Sequence, residues 1–193
     1  MYPTLMDFVA GRKSKIIAAV FLVLLIQAVG WAQDARLTRI TVSNTREDLL
    51  LYFTLEGAFT EKLQEAILSG VSATFTFNVS LHRIRTWWFD KSITDLKLTH
   101  TIKYDSLKKT FTVKRSWKES DPVVTKSFEQ AQRWMTEIDN LRVYPLENLE
   151  KGLQYQIRVM AEISKLTLPL YLHYVLFSLW DVETDWYTID FVF

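Results

Sequence analysis

The sequence predicts a mainly β chain: an antiparallel sandwich of two sheets into which two short helices are inserted. Three observations predict it. From Val71 to Leu81 every odd residue is apolar (Val71, Ala73, Phe75, Phe77, Val79, Leu81), and the same holds from Leu153 to Ile163; period two marks strands with one buried face. Segments 71–86, 93–104 and 110–117 follow one another across short polar turns, as in an antiparallel meander. Two other stretches switch to helical spacing behind capping residues. With 193 residues, 49% hydrophobic and 14% aromatic, the chain supplies one domain with a real core and too little for two.

The elements begin after a leader. Arg12, Lys13 and Lys15 precede an apolar run from Ile16 to Ala32 that ends in Gly30-Trp31-Ala32, small residues where a signal peptidase reads them. The run falls short of the roughly 20 residues a membrane span needs. Residues 1–32 are therefore expected to be a signal peptide cut after Ala32 or, uncut, an anchor helix, leaving 33–193 as one exported domain. Removing them takes away three cations (Arg12, Lys13, Lys15) and one anion (Asp7) and turns a net charge of +1 into −1.

Residues 37–43 read as the first strand, and "NTRED" as a turn. Leu49 to Leu55 is the second strand, with Leu49, Leu51, Phe53 and Leu55 on one face. In "AFTEKLQEAILSG", Thr60 caps a helix whose stripe is Phe59, Leu63, Ala66 and Ile67, and Gly70 ends it. The strand from Val71 loses its parity at Arg83, which predicts a bulge or the strand's exit from the sheet. Leu96, Leu98, Ile102 and Tyr104 are in phase over 93–104, with His100 on the same face. Phe111, Val113 and Trp117 follow, with Arg115 in their register. "SFEQAQRWMTEIDN" predicts a second helix, with Ser127 and Gln130 in capping-box spacing and Phe128, Ala131, Met135 and Ile138 as its stripe. A short strand around Leu141 to Tyr144, the long strand from Leu153, and a last strand through Tyr187, Ile189, Phe191 and Phe193 complete the order. Residues 168–180 are almost uniformly apolar and supply more apolar side chain than one strand hides. Such a surplus marks a docking surface or closes the core.

Composition excludes several chemistries. A net charge of +1 without basic blocks gives no field for nucleic acid. There is no cysteine, so thiol chemistry, disulfides and thiolate metal sites are out. His82, His100 and His173 are scattered, and no H-x-x-x-H, G-x-S-x-G, phosphate-loop or dinucleotide motif occurs. His100 on an apolar face is a candidate base held near neutral by burial, or a core histidine bonded to a neighbour. Asp181, Glu183 and Asp185 in "WDVETDW" share a strand face but lack the ligand number and glycine of a calcium loop, and read as a polar turn. No catalytic residue, metal or cofactor is expected.

Binding is the remaining chemistry. Arg83, Arg85, Trp87 and Trp88 stand together, with Arg115 and Trp117 as expected neighbours across the meander, and Trp180, Trp186 and Tyr187 add aromatic surface near the C-terminus. Arg and Trp are the residues enriched at binding hot spots. The alternative reading of the first cluster is a sheet rim with guanidinium groups stacked on indoles.

The spacing Leu149, Gly152, Tyr155, Ile157, Val159, Ala161 resembles the tyrosine corner of immunoglobulin-like and fibronectin-type sandwiches, where a Tyr hydroxyl bonds the backbone just upstream. Lys151 stands where fibronectin-type domains usually place proline. Across residues 37–187, "GVSATFTFNVSLHRIRTWWFD", "YDSLKKTFTV", "SFEQA", "LEKGLQYQIRV", "LPLYL" and "LWDVETDWY" resemble, in order and spacing, a bacterial envelope family catalogued as domain of unknown function 4390. Many relatives carry a second proline after "LP" where this chain has Tyr171. The resemblance implies a small exported protein of Gram-negative bacteria without assigned activity or catalytic residues. Some family genes adjoin a membrane sensor kinase, which implies an envelope or membrane partner.

The expected protein is thus an immunoglobulin-like sandwich, periplasmic or anchored facing the periplasm. It is not an enzyme, and it engages a membrane or envelope protein through aromatic surface. Its first rival carries an apolar ligand such as a lipid between the sheets. Its second is an outer-membrane barrel, which the two capped helices disfavour.

Overall fold

Alternation of apolar and polar residues decides which segments pair. In the computed structural model, which describes residues 35–118, 121–167 and 183–193, nine strands form two antiparallel sheets. The smaller contains β1 (Arg36–Asn44), β2 (Asp48–Glu56) and β7 (Glu137–Pro145) in the order β1-β2-β7. The larger contains β3 (Ser72–Arg83), β4 (Lys91–Asp105), β5 (Thr110–Arg115), β6 (Val123–Thr125), β8 (Gln154–Thr167) and β9 (Tyr187–Val192), ordered β6-β5-β4-β3-β8-β9. A first, second and fifth-position strand facing a C-F-G triplet is the arrangement of immunoglobulin-like sandwiches; here β3, β8 and β9 are that triplet, and β4 to β6 widen it. The strands divide between two sheets, as in a sandwich. The leader, the whole apolar segment 168–180 with Trp180, and Asp181 lie outside the described residues.

Both helices sit where the chain changes sheets. α1 (Glu61–Leu68) carries it from β2 to β3, and α2 (Phe128–Thr136) from β6 to β7. Thr60 Oγ1 accepts from the Leu63 N–H (3.3 Å), and Ser127 Oγ from the Gln130 N–H (3.1 Å). Each cap satisfies a donor that the first helical turn leaves unpaired. Gly70, at φ +91°, ends α1 while its N–H bonds Ile67 C=O and the Val71 N–H bonds Ala66 C=O. That pair of bonds is the Schellman termination, and its left-handed residue is cheapest as glycine.

Helix α2 is shorter than its sequence stripe. It ends at Thr136, and Ile138 is a buried strand residue facing Phe53. Between Ile138 and Leu141 the two residues Asp139 and Asn140 oppose the single Tyr52, with Asn140 at φ +57°. This bulge moves the buried set from even to odd positions. Met135 on the helix and Ile138 on the strand after it are both buried and keep helical spacing, which is why the predicted helix runs past Thr136. The break expected at Arg83 is the strand's exit, Arg83 being its last paired residue; a bulge precedes it, the register shifting between Leu81 and His82 with Ile93 of β4 as the extra residue.

The layer between the sheets is filled by the chain's own side chains. Phe53 of one sheet meets Phe77 of the other edge to face, centroids 5.6 Å apart, and Phe75, Met135, Ile138 and Ile157 are fully buried with them. A ligand carried between the sheets would need that space. At the β7–β8 crossover the Tyr155 hydroxyl accepts from the Glu150 N–H at 2.9 Å, so the tyrosine corner forms as its spacing requires.

Candidate functional site

The site is built where β3 leaves the sheet. Arg83 is the last paired residue, opposite Lys91 on β4 and Tyr155 on β8. The Ile84 N–H still reaches Gln154 C=O at 2.9 Å, and the chain then runs as a loop to Asp90. Three consecutive side chains of that loop stand in water: Trp87 is 89% exposed, Trp88 78% and Phe89 97%. Isolated exposed apolar residues are ordinary, but three adjacent large aromatics form a patch of the kind that marks an interaction surface.

Ion pairs fasten both stems. Arg83 Nη1 donates to Glu150 Oε1 at 2.7 Å, and Arg158 Nη2 to Asp90 Oδ2 at 2.9 Å. Arg158 Nε also donates to Gln156 Oε1, and Gln156 Nε2 to Asp190 Oδ1, so Asp90 is tied through β8 to β9. Arg85 and Lys91 are exposed, and among the described residues neither has an ion-pair partner. The loop is an aromatic tip on a cationic, fastened base.

The structure divides the predicted residues. Arg83, Arg85, Trp87 and Trp88 stand together, but Arg83 pairs with a carboxylate rather than stacking on an indole. Arg115 and Trp117 are not their neighbours. Arg115 pairs with His100, which pairs with Phe75, eight positions along β3 from Arg83 and so about 26 Å away at roughly 3.3 Å per residue. Trp186 and Tyr187 are half-exposed at the start of β9. Tyr187 pairs with Val159, about 13 Å along the strand from the loop's base by the same spacing. Trp186 borders a depression of about 280 Å3 with Asn78, Ser80, Asp95 and Lys97. The rest of β9 completes the sheet: Phe191 and Phe193 pack against the core, and Tyr155 stacks on Phe191. Phe89 escaped sequence reasoning, although its signal was present. It prolongs the Trp pair just where parity is lost.

His100 is a core residue. Trp117 Nε1–H, which can only donate, bonds its Nε2 at 2.9 Å; Nδ1 therefore carries the proton and donates to Met135 C=O at 2.9 Å. Burial lowers its pKa from 6.5 to about 4, since a charged ring there would lose its hydration. Both nitrogens are engaged, so neither is available to take a substrate's proton. Glu183 makes an isolated bridge to Glu162, Asp185 is exposed, and among the described residues no acidic or histidine group of three is gathered to hold a metal.

A family model described as a domain of unknown function (DUF4390) matches residues 32–190. No curated protein and no solved structure matches the chain.

Proposed function

The chain is a member of the family described as domain of unknown function 4390, and from that premise we propose that it is an exported, non-enzymatic binding protein of the Gram-negative envelope. It is periplasmic or anchored facing the periplasm, and it engages the membrane or a protein embedded in it through the aromatic loop Ile84–Asp90. One observation carries this reading: Trp87, Trp88 and Phe89 are exposed side by side on a loop whose stems are held by ion pairs. Flexible loops that serve only as connections do not gather such side chains, because each costs solubility and returns no packing.

The non-enzymatic reading is supported by the candidate base His100, whose two nitrogens are committed to Trp117 and Met135. Export rests on the leader's charge and small-residue pattern. A photoreactive group on a single cysteine at position 88, irradiated in intact envelopes, tests the binding reading. Adducts to envelope components are expected from position 88 and not from position 107. Equal labelling from both, or none from 88, would refute it.

A further inference from the structure

Trp87, Trp88 and Phe89 follow one another on the loop between Arg83 and Lys91, and all three stand in water. We propose that this loop docks into the headgroup–acyl boundary of an anionic phospholipid bilayer, the aromatics inserting and the cations at their base meeting phosphates. This rests on the binding reading above and names its partner.

The chemistry is layered as a bilayer surface is layered. Indole has an apolar body and one polar N–H, the combination that places Trp at membrane interfaces. Phe89, the most exposed of the three at 97%, is wholly apolar and suits the deepest position. Two residues back along the chain on either side, beyond Thr86 and Asp90, stand Arg85 and Lys91. The loop's own carboxylate does not oppose an anionic surface, because Asp90 is paired with Arg158; Glu150, beside the other stem, is paired with Arg83. Arg85 and Lys91 are left to act outward. A protein pocket that took three consecutive, exposed aromatics would have to enclose the tip of the loop, whereas fluid lipid conforms around it. The fastened stems matter as well, since they keep the tip from folding back onto the sheet and lower the ordering cost of insertion.

The chain contains no cysteine, so a single introduced thiol reports one position. The full chain carrying Phe89→Cys, labelled with an environment-sensitive fluorophore, is mixed with vesicles of phosphatidylglycerol and phosphatidylethanolamine. The probe at 89 should shift to the blue and be quenched by nitroxide on the lipid tails. A probe at Leu107→Cys, 95% exposed in the turn after the far end of β4, should stay aqueous even if the leader holds the chain on the vesicle. Arg85→Gln with Lys91→Gln should reduce the insertion signal roughly tenfold at low salt, since each cation near an anionic surface contributes and salt screens it. Trp87→Cys serves as a second probe and should behave as 89 does. Probes at 89 and 87 that stay aqueous on vesicles overturn the inference. If they are aqueous on vesicles but shielded in envelopes that keep their proteins, lipid is excluded and the binding reading stands. If they are aqueous in both, both fall.

Discussion

His100 is the residue on which acid should act. Its pKa falls from 6.5 in the unfolded chain to about 4 in the core, so between those values the unfolded state binds a proton that the native state refuses. Stability present above pH 6.5 is therefore lost as pH falls through that window, by up to about 3 kcal/mol for 2.5 units at 1.36 kcal/mol each. Urea unfolding at pH 7 and pH 4.5 measures it, and His100→Gln, which keeps a donor and an acceptor without titrating there, should flatten the difference. Trp117→Phe leaves the buried Nε2 without its donor and should cost about 1–3 kcal/mol at neutral pH. Tyr155→Phe removes the acceptor of the Glu150 N–H and should cost about 1 kcal/mol by the same accounting. The roles of these side chains were partly legible beforehand. Tyr155 announced its corner through spacing, whereas the donor that occupies His100 comes from a residue seventeen positions away and emerges only with register.

Strand and helix boundaries follow local rules until a bulge intervenes. The caps Thr60 and Ser127 were readable, because one hydroxyl three residues before a turn's free N–H is a local geometry. Ser127→Ala should lower stability by about 1 kcal/mol, read as a shift in the urea midpoint with unchanged slope. Where α2 stops was not readable. Asp139 and Asn140 occupy one pairing position opposite Tyr52, and Asn140 adopts a left-handed conformation. Its carboxamide oxygen accepts the Tyr52 hydroxyl proton. Asn140→Val should cost about 1–3 kcal/mol, since a β-branched residue resists positive φ, while Asn140→Gly should keep the backbone and lose only the side-chain bond. The separation of Arg115 and Trp117 from the loop is likewise a matter of register: both sides of the meander alternate correctly, but alternation repeats every two residues and leaves the offset between strands open.

At the scale of the described domain, a filled interior stands apart from an aromatic loop that the fold does not use. Phe77 reaches from the larger sheet to Phe53 of the smaller and to His100, and Phe77→Ala should cost about 3–5 kcal/mol. Replacing Trp87, Trp88 and Phe89 together by serine should leave the thermal midpoint unchanged, because side chains standing in water contribute no buried area. That contrast distinguishes a docking loop from a displaced piece of core, and the order of the two sheets was visible only as far as the tyrosine corner and the meander allowed. The most direct test is thiol accessibility in intact envelopes. The chain carrying Phe89→Cys should react with a membrane-impermeant maleimide at least about tenfold more slowly than the chain carrying Leu107→Cys, as burial of one aromatic side chain at a partner surface implies. Equal rates at the two positions would contradict the account.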